Sequence, residues 1–355
     1  MTYRECFMSE QNRVYPLQFT GRGGEYFRIW IVNLALSLLT LGIYSAWAKV
    51  RRKRYFNNHT LLDGHHFDYL ADPIAIIKGR AIAFVCMLAY VLAQNVYPLI
   101  SAILLLLFFI ATPWIVVRAL QFNARNSSHR GLRFDFQGDM AESYRIFLGL
   151  ALLSMLTLGL SAPYAFYRKT AFIAGNHVYG NLHSSFQGRV WPFYRIVLVA
   201  IAILFASIVL ALAGVIAVAG MPVFSHPAGI GAFVIYLMAA LMAFYAAIPI
   251  VAGYFNARVA RQMFSGTQFG ELGFASRHQA RGLIWLYVSN LILIALTLGL
   301  FIPWAQVRSA RFWLDNLGVI GPERGLDGIA AAAGEGLSAT GSEMADVFDV
   351  DLGIA

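Results

Sequence analysis

The chain has 355 residues, 59% of them hydrophobic and 13% charged, with a mean hydropathy of +0.63. A water-soluble domain, where about a quarter of residues carry charge, is excluded. The formal net charge of +9 does not point to nucleic acid, because the bases cluster beside apolar segments, where Lys and Arg meet anionic lipid and set topology.

No Asp, Glu, Lys or Arg falls within residues 29–48, 81–117, 146–167, 196–257 or 283–307. Apolar runs of roughly 18 residues suit a hydrocarbon layer about 30 Å thick, and the two longest runs hold two crossings each. The polar start, residues 1–28, lacks the apolar core of a cleaved signal peptide, so the first apolar segment is expected to act as an uncleaved signal. Cys6 and Cys86 suggest no structural disulfide.

Three stretches then align without gaps through their centres: LTLGIYSAWAKVRRKRYF at 39–56, LTLGLSAPYAFYRKTAF at 156–172 and LTLGLFIPWAQVRSARF at 296–312. Thr40, Thr157 and Thr297 correspond, as do Gly42, Gly159 and Gly299. Glycine after an apolar run ends a helix, and Pro163 and Pro303 suit the first turn of another. Each copy therefore reads as helix, sharp turn, helix. Trp47 with Arg51, Tyr164 with Arg168 and Trp304 with Arg308 stand four residues apart, on one helix face, and are candidates for a lipid headgroup contact or an interfacial anchor.

Between these A units lie looser B units sharing Phe-Asn-Ala-Arg, at 113–138 and 249–270, so the chain reads A-B-A-B-A. The A units cover about 26–72, 143–189 and 281–317, and the B units about 73–142 and 190–280. Alternating aromatics between Gly and Asn, as in His66-Phe67-Asp68-Tyr69, suggest short surface β-hairpins. Residues 318–355, rich in Ala, Gly and acid, read as a solvated tail. The expected fold is an all-α polytopic membrane protein, its helices joined by Thr-Leu-Gly hairpins or breaks and by those surface hairpins.

Five segments carry more bases than acids, while the connections near 94–98 and 219–229 are uncharged, which puts the basic segments in the cytoplasm. Four spans, about 80–97, 98–117, 193–214 and 231–255, then alternate with three hairpins that enter and leave on one face. Seven ordinary spans would invert successive copies. The shared basic bias favours the hairpins.

At LTLGIYxxWAxxRxxR with the downstream Asp-Gly-His-His-Phe-Asp-Tyr, the sequence resembles the YjgN-like family of bacterial inner-membrane proteins, also called domain of unknown function 898. The resemblance runs over nearly the whole chain and implies the bacterial inner membrane, without an established activity. The middle copy departs from the pattern at Tyr164, Ala171 and Leu150.

Asn33 and Asn290, inside apolar helices, are candidates to line a polar path or to bond between helices. His59, His65 and His66 with Asp63 and Asp68 lack metal-motif spacing, so no metal or cofactor is expected. No catalytic motif appears, and an enzyme is not expected. Acid is absent from the apolar segments, which argues against a proton-coupled pump. Passive transport or lipid handling is the functional expectation, with anionic membrane lipids as partners. The alternative is a structural or interaction protein using basic aromatic hairpins and the acidic tail.

Overall fold

The computed structural model describes residues 12–219, 229–322 and 326. Cys6, most of the uncharged 219–229 connection and the acidic stretch at 347–354 lie outside them. In chain order the elements are β1 (Asn12–Phe19), α1 (Gly23–Leu39), α2 (Ser45–Asn58), β2 (Thr60–Leu62), β3 (His65–Tyr69), α3 (Pro73–Val96), α4 (Pro98–Arg125), β4 (Ser127–His129) and β5 (Leu132–Phe136). Next come α5 (Met140–Ser143), a π-helical stretch (Tyr144–Gly149), α6 (Leu150–Leu156), α7 (Ala162–Gly175), β6 (His177–Tyr179), β7 (Leu182–Phe186), α8 (Trp191–Ala219) and α9 (Gly229–Gly266). The chain continues through β8 (Thr267–Phe269), β9 (Leu272–Ser276), α10 (Ala280–Leu296), α11 (Ile302–Asp315) and β10 (Leu317–Pro322).

The expectation of an all-α fold is corrected here. The ten strands close into one antiparallel barrel, ordered β1-β10-β9-β8-β7-β6-β5-β4-β3-β2. The short hairpins expected at the surface are its staves. Most are three to five residues long, and except for β1 and β10, which pair with each other, each pairs with one neighbour across a tight turn and with the other across a whole helical excursion. Closure leaves no bare edge, which is what makes such short strands tenable. Residues 318–322, read from sequence as tail, belong to β10, which pairs with β1 from Asn12↔Pro322 to Pro16↔Gly318.

One rim of the barrel carries tight turns. Asp63 and Gly64, with φ of 50° and 78°, and Arg130 and Gly131, with 53° and 78°, are left-handed pairs of the kind that matches strand twist in a two-residue hairpin. All five helical excursions leave from the other rim and return to it: α1–α2, α3–α4, α5–α7, α8–α9 and α10–α11. The strands flanking each excursion pair with each other, as in Phe19↔Thr60, Tyr69↔Ser127, Phe136↔His177, Phe186↔Thr267 and Ser276↔Leu317. Both ends of every excursion therefore lie on the same side of the membrane as the barrel. Seven spans would require the Thr-Leu-Gly hairpins to end on opposite sides, and their flanking strands could not then pair.

Four helices have the length and composition of spans: α3, α4, and the segments Trp191–Ala217 of α8 and Val234–Gly266 of α9. The Thr-Leu-Gly hairpins are shorter. The first helices of the outer two cover 17 residues, about 26 Å, the middle one is built of α5, the π-helical stretch and α6, and the second helices of all three cover 14, about 21 Å. Each turns back through a Leu and a Gly of positive φ: Leu41 (49°) and Gly42 (91°), Leu158 (50°) and Gly159 (87°), Leu298 (50°) and Gly299 (93°). The Thr before them spans the break. Thr40 Oγ1 donates to the Leu36 carbonyl at 2.8 Å and accepts from the Tyr44 N–H at 3.0 Å. Thr157 does the same with Leu153 and Ser161, and Thr297 with Leu293 and Phe301. The glycine N–H closes the turn onto a carbonyl five residues back, on Ser37, Ser154 or Ile294. Backbone polar groups at the tip thus find partners without water, while Leu41, Leu158 and Leu298 stand 94–95% exposed. Apolar tips with satisfied backbones are what a hairpin dipping into lipid requires.

Inside the barrel, alternate strand residues pack against one another. Tyr15, Leu17, Leu62, Val319 and Leu326 form one cluster with Phe67, Leu272 and Phe274. Phe67 stacks on His129 with ring centres 4.3 Å apart, and Phe134 lies 4.8 Å from Tyr179. Polar Gln18, His66 and Asp68 alternate with them and are exposed. The interior is filled with side chains.

Candidate functional site

The helices are anchored to the barrel by corners of one construction. In each, a residue just past the strand donates its N–H to the carbonyl that ends the same excursion: Thr20 to His59, Leu70 to Asn126, Gln137 to Asn176, Gln187 to Gly266 and Arg277 to Asn316, all at 2.8–2.9 Å. The following residue is glycine at three corners because an aromatic ring lies over it. A Cβ on Gly188 would sit 2.3 Å from the Phe186 ring, and one on Gly21 or Gly138 would sit 2.6 Å from Phe19 or Phe136.

At the fifth corner this residue is His278, and a cavity of about 560 Å³ opens beside it. Arg258 and Arg261 reach it from α9, and Arg277 and Arg281 from the corner and the first turn of α10. All four are exposed, and among the described residues none has a carboxylate within ion-pair distance. Arg258 lies over the Tyr254 ring at 5.7 Å. The first turn of α10 carries no acid and no side-chain cap, so free N–H groups add to the positive field there.

His278 is buried and fixes this corner. Its Nε2 faces the Trp313 carbonyl at 3.0 Å, so Nε2 carries the proton and donates, and Nδ1 accepts from the Ser276 hydroxyl at 2.8 Å. Burial pushes its pKa below the usual histidine value, which keeps the ring neutral among the arginines. The cavity offers planar, permanently charged donors and can hold a phosphate or carboxylate bidentately.

The residues singled out from sequence fall into different roles. Asn290 is buried, accepts at Oδ1 from Arg308 Nη1 at 2.8 Å, and is bound within its own hairpin; Arg308 Nη2 also donates to Ser289 at 3.0 Å. Arg308 lies over Phe301 at 5.9 Å, and Trp304 packs against Phe27 at 4.9 Å. Arg168 forms an ion pair with Glu142 at 2.9 Å, while the Tyr164 ring lies 6.2 Å from Tyr167. Arg51 is exposed, and Trp47 stacks on Tyr44 at 6.1 Å. Asn33 is buried and its Oδ1 has no hydrogen-bond partner. These eight do not converge on one site.

Asp63 is held by Arg130 at 2.8 Å, and His59 packs on Tyr55. Among the described residues no three His, Cys, Asp or Glu side chains gather as metal ligands. Sequence reasoning missed the arginine cavity; the one signal was the basic bias of residues 258–281.

A family model described as bacterial protein of unknown function (DUF898) matches residues 14–347. The chain belongs to that family. It is 32% identical over 151 residues to inner membrane protein YjgN of Salmonella typhimurium (strain LT2), a match covering 42% of this chain and 38% of the relative. It is 28% identical over 142 residues to inner membrane protein YjgN of Escherichia coli (strain K12), covering 40% and 36%. The matched region thus spans less than two fifths of each relative. No solved structure matches this chain significantly. Together with the four spanning helices, membership makes the chain a multi-pass inner-membrane protein.

Proposed function

We propose that the protein handles anionic phospholipid at the cytoplasmic face of the inner membrane, by binding headgroups where the barrel meets the helices, and that it is a binder rather than an enzyme. The observation that carries this reading is the fifth-corner cavity, with four arginines and, among the described residues, no carboxylate counter-ion. Charges of one sign at the membrane interface repel each other unless an anion joins them, and the leaflet supplies anions. The cytoplasmic orientation rests on the basic bias of the segments that join the helices to the barrel. Lipid is favoured over passage of a solute because the barrel interior is packed with aromatic and aliphatic side chains.

The test is retention of lipid by the purified protein in phosphatidylcholine nanodiscs doped with phosphatidylglycerol, read by native mass spectrometry. Arg258→Gln with Arg261→Gln should lower retained phosphatidylglycerol about tenfold, the equivalent of about 1.4 kcal/mol, and leave phosphatidylcholine unchanged. Equal retention by wild type and variant would refute the reading.

A further inference from the structure

The first and third hairpins place an asparagine at the same point, seven residues before the turn threonine, and an arginine eleven residues after it. In the third, Arg308 fills the space and bonds to Asn290. In the first, the counterpart Arg51 is exposed and Asn33 Oδ1 is left without a hydrogen-bond partner, although the residue is 93% buried. Beside it lies a cavity of about 310 Å³, lined among others by Asn33, Ser37, Lys49, Arg52, Arg80 and Gln306. The middle hairpin has Leu150 at the asparagine's position.

Two deficits meet in this cavity. Lys49 faces Arg52 and Arg80 as like charges, and among the described residues none of the three is ion-paired to a carboxylate. Cations held near hydrocarbon without a counter-ion are costly, as is a buried amide oxygen without a donor. A simple anion would answer the first deficit only. One ligand answers both if it joins a phosphate to a group with its own O–H donor. A hydroxyl can donate to Asn33 Oδ1, and its oxygen can accept from Nδ2 if the amide turns about its last bond. Trp30 and Leu34, also on the wall, present apolar surface beside the polar pocket, as a headgroup continuing into acyl chain needs.

We infer that the first-hairpin cavity is a headgroup site selective for a phosphodiester whose alcohol carries free hydroxyls, with Lys49, Arg52 and Arg80 on the phosphate and Asn33 on a hydroxyl. This goes beyond the reading above and stands on a separate cavity, so either can fail alone.

The experiment compares two lipids of equal charge in phosphatidylcholine nanodiscs holding the full chain: phosphatidylglycerol, with hydroxyls, and phosphatidylmethanol, without. The first-hairpin cavity should retain phosphatidylglycerol about tenfold better. Asn33→Leu, which breaks no hydrogen bond in the protein, should abolish that preference, and Arg52→Gln should weaken both lipids. Asn33→Asp places the missing anion inside the cavity, and should expel both lipids while raising the thermal unfolding midpoint. Preference retained in Asn33→Leu, or absent with Asn33 in place, overturns the inference. Displacement of the lipid by soluble glycerophosphoglycerol at matching affinity would assign the site to a free diester and overturn the lipid source. Each of these comparisons is read with Arg258→Gln and Arg261→Gln also in place, which removes lipid held by charge at the fifth-corner cavity; the preference should persist there, which separates the two sites.

Discussion

Replacing Thr297 by Val keeps the branched shape of the side chain at the third hairpin tip and exchanges one hydroxyl for a methyl group. That hydroxyl donates to the Leu293 carbonyl at 2.7 Å and accepts from the Phe301 N–H at 3.0 Å. The carbonyl keeps a partner, because the Thr297 N–H also reaches it at 3.1 Å. The Phe301 N–H does not. An unpaired N–H out of reach of water costs about 1–3 kcal/mol, whereas one that water can solvate loses under about 1 kcal/mol. Titrating the protein in bicelles with a denaturing detergent should therefore show Thr297→Val destabilised by about 1–3 kcal/mol. Thr297→Ser, which keeps the hydroxyl, should stay within about 0.5 kcal/mol of wild type. A Val variant as stable as the Ser variant would mean that the tip is in water, and the picture of a hairpin embedded in lipid would fail.

Two further outcomes follow from the architecture. A cysteine at position 97, in the link between α3 and α4, should be labelled by a membrane-impermeant thiol reagent in intact cells, and one at position 183, on β7, only after permeabilisation; the reverse pattern would invert the topology. The second concerns pH. His129, stacked on Phe67 inside the barrel, has its pKa lowered to about 4, chiefly by burial, with the neighbouring Arg130 and His65 adding to it. The unfolded chain binds this proton more readily than the folded one, so the contribution is whole above about pH 6.5 and is lost as pH falls toward 4. Thermal unfolding in detergent should show that slope in the wild type and a shallower one in His129→Gln.

The hairpins were legible in the sequence and the barrel was not, for a physical reason. The Thr-Leu-Gly turn is local: a hydroxyl, a left-handed glycine and the apolar residues around them lie within a few positions, so the pattern shows itself three times. The strands carry only three to five residues apiece at most positions, and their second partners lie some forty to eighty residues away, beyond a helical excursion. Gly318 and Gly321 made β10 look like the start of a loose tail, yet both are buried where a side chain would not fit; a Cβ on Gly318 would sit 2.7 Å from Val14. The candidate site was partly legible for the same reason. Asn33 and Asn290 were found as polar residues in apolar helices, but their difference was invisible, because both hairpins encode the same asparagine and arginine. Arg258 and Arg281 meet only because α9 and α10 pack side by side from adjacent corners.

The seam between β1 and β10 has a consequence for biogenesis. β1 is the first described strand to be synthesised and β10 the last, and each is the other's neighbour. While the ribosome is still making the third short hairpin, β1 and β9 each present an unpaired edge at the membrane surface, and the four spanning helices are already available for insertion. Insertion can thus be complete before the ring shuts. β10 then acts as a keystone, and a chain stopped before Leu317 would leave an open, adhesive sheet in place of a barrel.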